Sequence, residues 1–221
     1  QDDQVRLKRM CRRAVKTGIY LLAPLLIGLV GVADTFVIAI LSEKWALCIP
    51  YLRILTLVFL VRPFTTTCQQ SILSVGRSDI TLKIEVVVNI VAIGILFWAV
   101  FGMESVLWVA YGTLIAEIVS LGMFMYFENK IIGYTYKEQL QDLLPGIVLS
   151  VCMGMLVYLI RFALVKDSVA LIIQIVVGAV FYLTVSYLLQ LDSFVYLVKM
   201  LEEKIHSNKI RKKLERLVRE K

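Results

Sequence analysis

The sequence predicts an all-α integral membrane bundle of six transmembrane helices, followed by a C-terminal amphipathic helix. Three observations lead there. The 221 residues are 59% apolar, against roughly 45–50% for soluble domains, and mean hydropathy is +0.81. The apolar residues gather into six runs, each near the length of about 20 residues that a bilayer crossing needs. The net charge of +7 is concentrated at the ends: residues 1–16 hold six Lys/Arg against two acids, and residues 192–221 hold nine against five.

The organisation that follows is a basic segment at 1–17, a six-span domain at 18–191 and a basic amphipathic tail at 192–221. QDDQVRLKRMCRRAVK is charged and helix-compatible and reads as an internal loop. With no initiator Met and no signal-peptide pattern, the chain is expected to be a piece of a longer protein. The first span, Gly18–Leu41, contains Pro24, Gly28 and Gly31. Proline removes a backbone donor and kinks a helix, and glycines allow close approach. The kink serves either packing or a hinge. Asp34 is this span's one acid.

SEKW forms the next turn, with Trp45 as an interfacial anchor. The second span runs from Ala46 to Val75, long enough to tilt or protrude. Arg62, Thr66 and Gln69 form a polar stripe on it, and Arg53 lies about 180° around the helix from Arg62. GRSD then turns the chain, with Gly76 suited to a C-cap and Ser78 or Asp79 to an N-cap. The third span, Ile80–Phe101, carries Glu85 and Asn89 on one face. The fourth, Val106–Phe127, carries Glu117. Trp98, Trp108 and Tyr111 flank the short turn between them as an aromatic belt would.

ENKIIGYTYKEQLQD reads as a polar loop. The fifth span, Leu143–Leu164, opens with Pro145 in its first turn. The sixth is Val169–Leu191. Both hold almost no ionisable groups and read as plain lipid-facing helices, with Arg161 near the outer end. In the tail, Leu197, Leu201, Ile205, Ile210, Leu214 and Leu217 have amphipathic helix spacing, suited to a helix lying on the inner membrane face. A partner-binding coiled coil is the other reading. Lys/Arg counts place both ends of the chain in the cytoplasm.

Charged groups inside the spans are the functional candidates, since each costs roughly 2.5–3.5 kcal/mol to insert and should face protein or a wet pathway. Counting 1.5 Å per residue from the GRSD turn, Arg62 lies roughly 22 Å deep, Asn89 and Glu117 roughly 16 Å and Glu85 roughly 10 Å. Substrate or ion pathway candidates are therefore Arg62, Gln69, Glu85, Asn89 and Glu117. Arg62 is expected to meet Glu117 or the Asn89 face. Asp34 and Arg53, both near the outer side, are the candidates for a structural ion pair. An acid in apolar surroundings takes up a proton readily unless a cation sits close, which makes Glu117 the best protonation candidate.

Other chemistry is excluded or expected absent. Cys11, Cys48, Cys68 and Cys152 show no CxxC spacing, so no disulfide and no metal site is expected. His206 is the only histidine and lacks catalytic partners. No cofactor is expected, and no soluble domain is available to read nucleic acid.

SEKWALCIPYLRIL, RPF, TTTCQQSIL and above all GRSDITLKIE resemble the polysaccharide-exporting branch of the multidrug/oligosaccharidyl-lipid/polysaccharide superfamily, the Wzx-type O-antigen flippases. QDDQVRLKRMCRRA is similar to a cytoplasmic segment ahead of a later span in those proteins. The resemblance implies a C-terminal portion of a bacterial inner-membrane flippase whose N-terminal lobe lies outside this chain. Two lobes would move a polyprenyl-diphosphate-linked oligosaccharide outward by alternating access, coupled to H+ or Na+, with no catalytic residue. The anionic diphosphate makes an inward-facing Arg62 physically sensible. A drug or cation antiporter of the same superfamily fits less well, because the arginines favour anionic cargo. A membrane enzyme acting on lipid-linked sugars would need a catalytic domain that SEKW, FGMES and VKDS are too short to build. An assembly scaffold is the remaining reading.

Overall fold

A computed structural model describes residues 2–102, 105–160 and 167–200. The helices are α1 (Asp2–Phe36), α2 (Ile49–Ser74), α3 (Ser78–Phe101), α4 (Val106–Ile132), α5 (Tyr136–Ile160) and α6 (Asp167–Leu188). A π-helical turn, Val37–Leu41, and a 3-10 segment, Glu43–Cys48, join α1 to α2. Six helices are long and apolar enough to cross a membrane, and no strand occurs among the described residues. The all-α membrane bundle predicted from the sequence is what is observed.

The chain divides into two compact units, residues 1–182 and 183–221. In the first, α1 is central, packing on α5 along one side and α2 along another; α2 packs on α4, and α4 on α3. Its apolar core is built from Cys11, Val15, Ile19 and Ala23 of α1, Phe64, Cys68 and Ile72 of α2, and Phe124 of α4, among others. In the second unit, α6 ends, residues 189–190 turn, and residues 192–200 are helical. Tyr187 and Phe194 meet there edge to face at 6.4 Å. The amphipathic stripe from Leu201 onward and His206 lie outside the described residues, as does Arg161.

Several elements depart from the sequence reading. The basic segment is not a loop over residues 2–17: α1 runs through them, with neither Gly nor Pro to interrupt it before Gly18. α4 extends through Glu128 to Ile132, and only residues 133–135 separate it from α5. Gly133 ends α4 in the left-handed conformation at φ 71°, which glycine adopts without steric cost. Glu138 then reaches back to Thr135 at the start of α5, as one half of a capping box does: the Thr135 amide and hydroxyl both donate to Glu138 Oε2, at 3.0 and 2.8 Å. Pro145 consequently falls inside α5 rather than in its first turn. At GRSD, Gly76 has φ 78° as a C-capping glycine should, but Arg77 takes the N-cap position of α3 and no side chain caps it. Asp79, in the first turn, accepts instead from Arg77 Nε at 3.2 Å.

The fifth span is not a plain lipid-facing helix. Its most apolar window is 39% buried, the highest of the six, against 11% for α3. Two features press α5 onto α1. Gly31 and Gly154 bring the backbones together, and a Cβ on Gly31 would meet the Gly154 carbonyl oxygen at 2.9 Å. At the other end, polar groups lock. Arg12 grips Asp142 with two parallel bonds, Nε to Oδ2 at 2.7 Å and Nη2 to Oδ1 at 2.9 Å, and reaches Glu138 Oε1 at 2.9 Å through Nη1. Lys8 bonds Glu138 Oε2 and the Gly133 carbonyl, both at 2.8 Å, and Lys16 lies 3.4 Å from Asp142. The fully buried Tyr134 donates its hydroxyl to Asp142 Oδ2 at 2.8 Å. Burial, then the neighbouring Asp142 carboxylate, raises the Tyr134 phenol above its usual range and keeps it a donor.

Pro24 lies inside α1, and its missing N–H leaves the carbonyl four residues back, Tyr20, without its helical donor. The Tyr182 hydroxyl of α6 donates to that carbonyl at 2.8 Å. Gln174 of α6 similarly donates to the Val157 carbonyl of α5 at 2.9 Å.

Two outcomes are expected in detergent melts. Gly31→Leu should destabilise the protein by about 1–3 kcal/mol through overpacking, whereas Gly94→Leu, with open space around its Cβ position, should leave the melting temperature within error. Asp142→Ala should cost about 1.5–3 kcal/mol, the range for charged hydrogen bonds, because Arg12 and Lys16 retain about a third of their surface in water.

Candidate functional site

α2 carries its two arginines on opposite sides, and each meets a different helix. Arg53 turns toward α1 and donates from Nη2 to Asp34 Oδ2 at 2.6 Å. The Asp34 side chain is 13% exposed and that of Arg53 35%, so this pair is largely enclosed. Arg62, half a turn round the helix, lies beside α4 with Nε 3.7 Å from Glu117 Oε2. Glu117 Oε1 accepts the Thr65 hydroxyl at 3.1 Å. The two sides of the pair differ in access: the Glu117 side chain is 12% exposed and that of Arg62 61%. The carboxylate lies beside the Nε edge of the guanidinium, and most of the Arg62 side chain remains exposed. A guanidinium held in this way presents a planar fork suited to phosphate.

The other sequence-predicted groups do not join this pair. Gln69 is half-buried on α2, and Thr66 is exposed, so the stripe from Arg62 faces outward. Glu85 and Asn89 are exposed on α3. Asn89 donates to its own helix, at the Glu85 carbonyl, at 2.8 Å, and the Glu85 carboxylate has no ion-pair partner within 4.0 Å among the described residues. Within this chain Glu117 faces protein, whereas Arg62 and Glu85 are exposed. The physical reason is the packing order. α3 touches little besides α4, so both its polar face and much of its apolar face remain uncovered by this chain.

The sequence reading missed the most enclosed acid. Glu128 of α4 is fully buried. Its Oε1 accepts the Ser71 hydroxyl and lies 3.8 Å from the Cys11 thiol, while Oε2 has no hydrogen-bond partner. The signal was its spacing: Glu128 follows Glu117 by eleven residues, which returns to the same helix face within about 20°. Both acids face α2, where Thr65 meets one and Ser71 the other. Cys68 belongs to the same buried α2 stripe.

At the opposite end of the spans, Trp98 packs edge to face on Trp108 at 5.5 Å, and Trp108 lies 5.7 Å from Tyr111. All three are exposed, as is Trp45. Amphipathic rings of this kind settle at a membrane–water boundary.

Residues 1–50 match a family model described as polysaccharide biosynthesis protein. The chain is 26% identical over 164 residues to the teichuronic acid biosynthesis protein TuaB of Bacillus subtilis (strain 168), covering 72% of this chain and 34% of that protein. It is also 26% identical over 164 residues to the lipopolysaccharide biosynthesis protein WzxC of Escherichia coli (strain K12), covering 70% of this chain and 33% of that one. An uncharacterized membrane protein in the cps region of Klebsiella pneumoniae is 22% identical over 185 residues, covering 83% and 38%. The chain thus spans about a third of the length of these relatives. No solved structure matches it significantly. Six membrane-length helices make this a multi-pass membrane protein, and the polysaccharide-related names of these relatives agree with the resemblance to the Wzx-type polysaccharide flippases read from the sequence.

Proposed function

We propose that this chain is the C-terminal part of a flippase that carries a polyprenyl-diphosphate-linked oligosaccharide across the bacterial cytoplasmic membrane by alternating access, with both ends of the chain on the cytoplasmic side. The observation that carries this reading is Arg62: a permanently charged side chain, roughly 22 Å into the membrane, held at one edge by Glu117 and otherwise open. Such exposure to acyl chains is costly. It is relieved if Arg62, with Gln69 on the same face, lines a wet cavity shared with an N-terminal lobe, where the guanidinium contacts the diphosphate. Glu85 and Asn89, open on α3, have the same need for a polar partner. Asp34–Arg53 is closed by comparison and serves packing. The polysaccharide-related names of the relatives support a sugar-linked anionic cargo over a drug or cation.

The proposed orientation places Lys8, Arg12 and Lys16 beside the anionic inner leaflet, and it places the Trp98–Trp108–Tyr111 cluster at the outer boundary. Glu117 is the proposed carrier of a coupling proton, because its protonation would release the Arg62 guanidinium toward the cargo.

Deletion of the full gene should trap lipid-linked oligosaccharide on the cytoplasmic face; normal export in the deletion strain overturns the flippase reading. On reintroduction, Arg62→Ala should reach the membrane in normal amount yet export at least about tenfold more slowly, the loss equivalent to about 1.4 kcal/mol of phosphate binding. Wild-type export by Arg62→Ala removes that residue from the pathway. Glu117→Gln should flatten the dependence of export on pH, and a profile superimposable on wild type excludes Glu117 as the proton carrier.

A further inference from the structure

Cys11 of α1, Cys68 of α2 and Glu128 of α4 are 57 or more residues apart in sequence, yet their thiol and carboxylate atoms all lie within 4.8 Å of one another. Cys11 is 4% exposed, and Cys68 and Glu128 are not exposed at all. Three features of this cluster require explanation together. No Lys or Arg among the described residues lies in ion-pair range of Glu128. Its Oε2 is buried without any donor, an arrangement that costs several kcal/mol for an uncompensated carboxylate. And two thiols, the softest ligands available to a protein, lie against that carboxylate, while the other two cysteines of the chain, Cys48 and Cys152, are exposed elsewhere.

We infer that Cys11, Cys68 and Glu128 form a binding site for a thiophilic divalent cation, Zn2+ being the best match, which ties α1, α2 and α4 together. The dimensions fit. With Zn–S near 2.3 Å and Zn–O near 2.0–2.2 Å, the ligand–ligand edges of a tetrahedral site come to about 3.6–3.8 Å. The Cys11 Sγ to Glu128 Oε1 separation is 3.8 Å, and the remaining separations, all within 4.8 Å, close with shifts of up to about 1.2 Å. Two thiolates with one carboxylate select Zn2+ over Mg2+ or Ca2+, which prefer oxygen alone. Ser71, whose hydroxyl donates to Glu128 Oε1, does what the outer partner of a ligating carboxylate does and fixes its orientation. A fourth position is left for the Ser71 oxygen or a water.

Binding is an acid–base event with no redox change. Two thiol protons, and the carboxyl proton if present, leave to solvent as two Zn–S bonds and one Zn–O bond form. The cation's two positive charges then meet three negative ones, in place of a lone buried acid. The site lies toward the end of the bundle that carries Lys8, Gly133 and the turn after α2, so that side is the shorter way in for an ion. The inference does not depend on the flippase reading, since it concerns metal content rather than transport.

The test is metal analysis of the protein purified from membranes in detergent without chelator and then incubated with Zn2+ or Co2+. About one equivalent per chain is expected, and the Co2+ form should show thiolate-to-cobalt charge-transfer absorption with the visible bands of a tetrahedral site. The double variant Cys48→Ser/Cys152→Ser should keep both signals, and Cys11→Ser/Cys68→Ser should lose them. Glu128→Gln, nearly isosteric and able to keep the fold if the cysteine variant does not, should weaken binding at least tenfold. Wild-type protein that takes up less than about a tenth of an equivalent, or whose Co2+ spectrum shows no thiolate band, overturns the site. So does recovery of Cys11 and Cys68 as a disulfide after Zn2+ incubation.

Discussion

Asp142 is the fixed point from which the arrangement of the first unit follows. Its side chain is 1% exposed, yet it is fully partnered: Arg12 forks onto it, Lys16 approaches it and Tyr134 donates to it. A buried carboxylate tolerates only a geometry in which its partners are all in place. That requirement fixes the register of α1 against α5 at one end, and the Gly31–Gly154 contact repeats the constraint near the other. With α1 fixed, its remaining faces are assigned. Cys11, Val15 and Ile19 turn into the core with α2, and Asp34 comes to lie opposite Arg53.

Much of this was legible in the sequence where simple geometry governs. Six apolar runs gave six helices, since length against bilayer thickness leaves few alternatives. The half-turn between Arg53 and Arg62, and the depth of Glu117 counted at a fixed rise per residue, anticipated the two pairings that the structure forms. What escaped was polar sequence inside helices. Residues 1–17 and 128–142 look like loops to a hydropathy scan because their charges are dense. Those charges neutralise one another across α1 and α5, and helix costs nothing extra there. Thr135-Tyr-Lys-Glu138 did carry a readable capping signature within the supposed loop. Glu128 was lost for the same reason, being placed beyond the end of its span.

The polar groups of α1 to α4 at membrane depth divide by whether this chain covers them. Asp34, Arg53, Thr65, Ser71, Glu117 and Glu128 are satisfied or enclosed by neighbouring helices. Arg62, Gln69, Glu85 and Asn89 are open or half-open. No sequence rule separates the two sets, because both consist of polar residues at membrane depth. The difference lies in which helix stands opposite, and that is decided by the α1–α5 and α2–α4 contacts.

The bond between Tyr182 and the Tyr20 carbonyl bears on how α1 can move. A proline in a long membrane helix is ordinarily a place where the rod flexes cheaply, since one rung of its ladder is already gone. Here the vacated rung is occupied by a hydroxyl from another helix. Flexure at Pro24 would break that tie and strand a carbonyl in a region with no water to replace it. The upper and lower halves of α1 are thereby discouraged from swivelling independently, and any large excursion of this helix carries the segment bearing Tyr182 along with it.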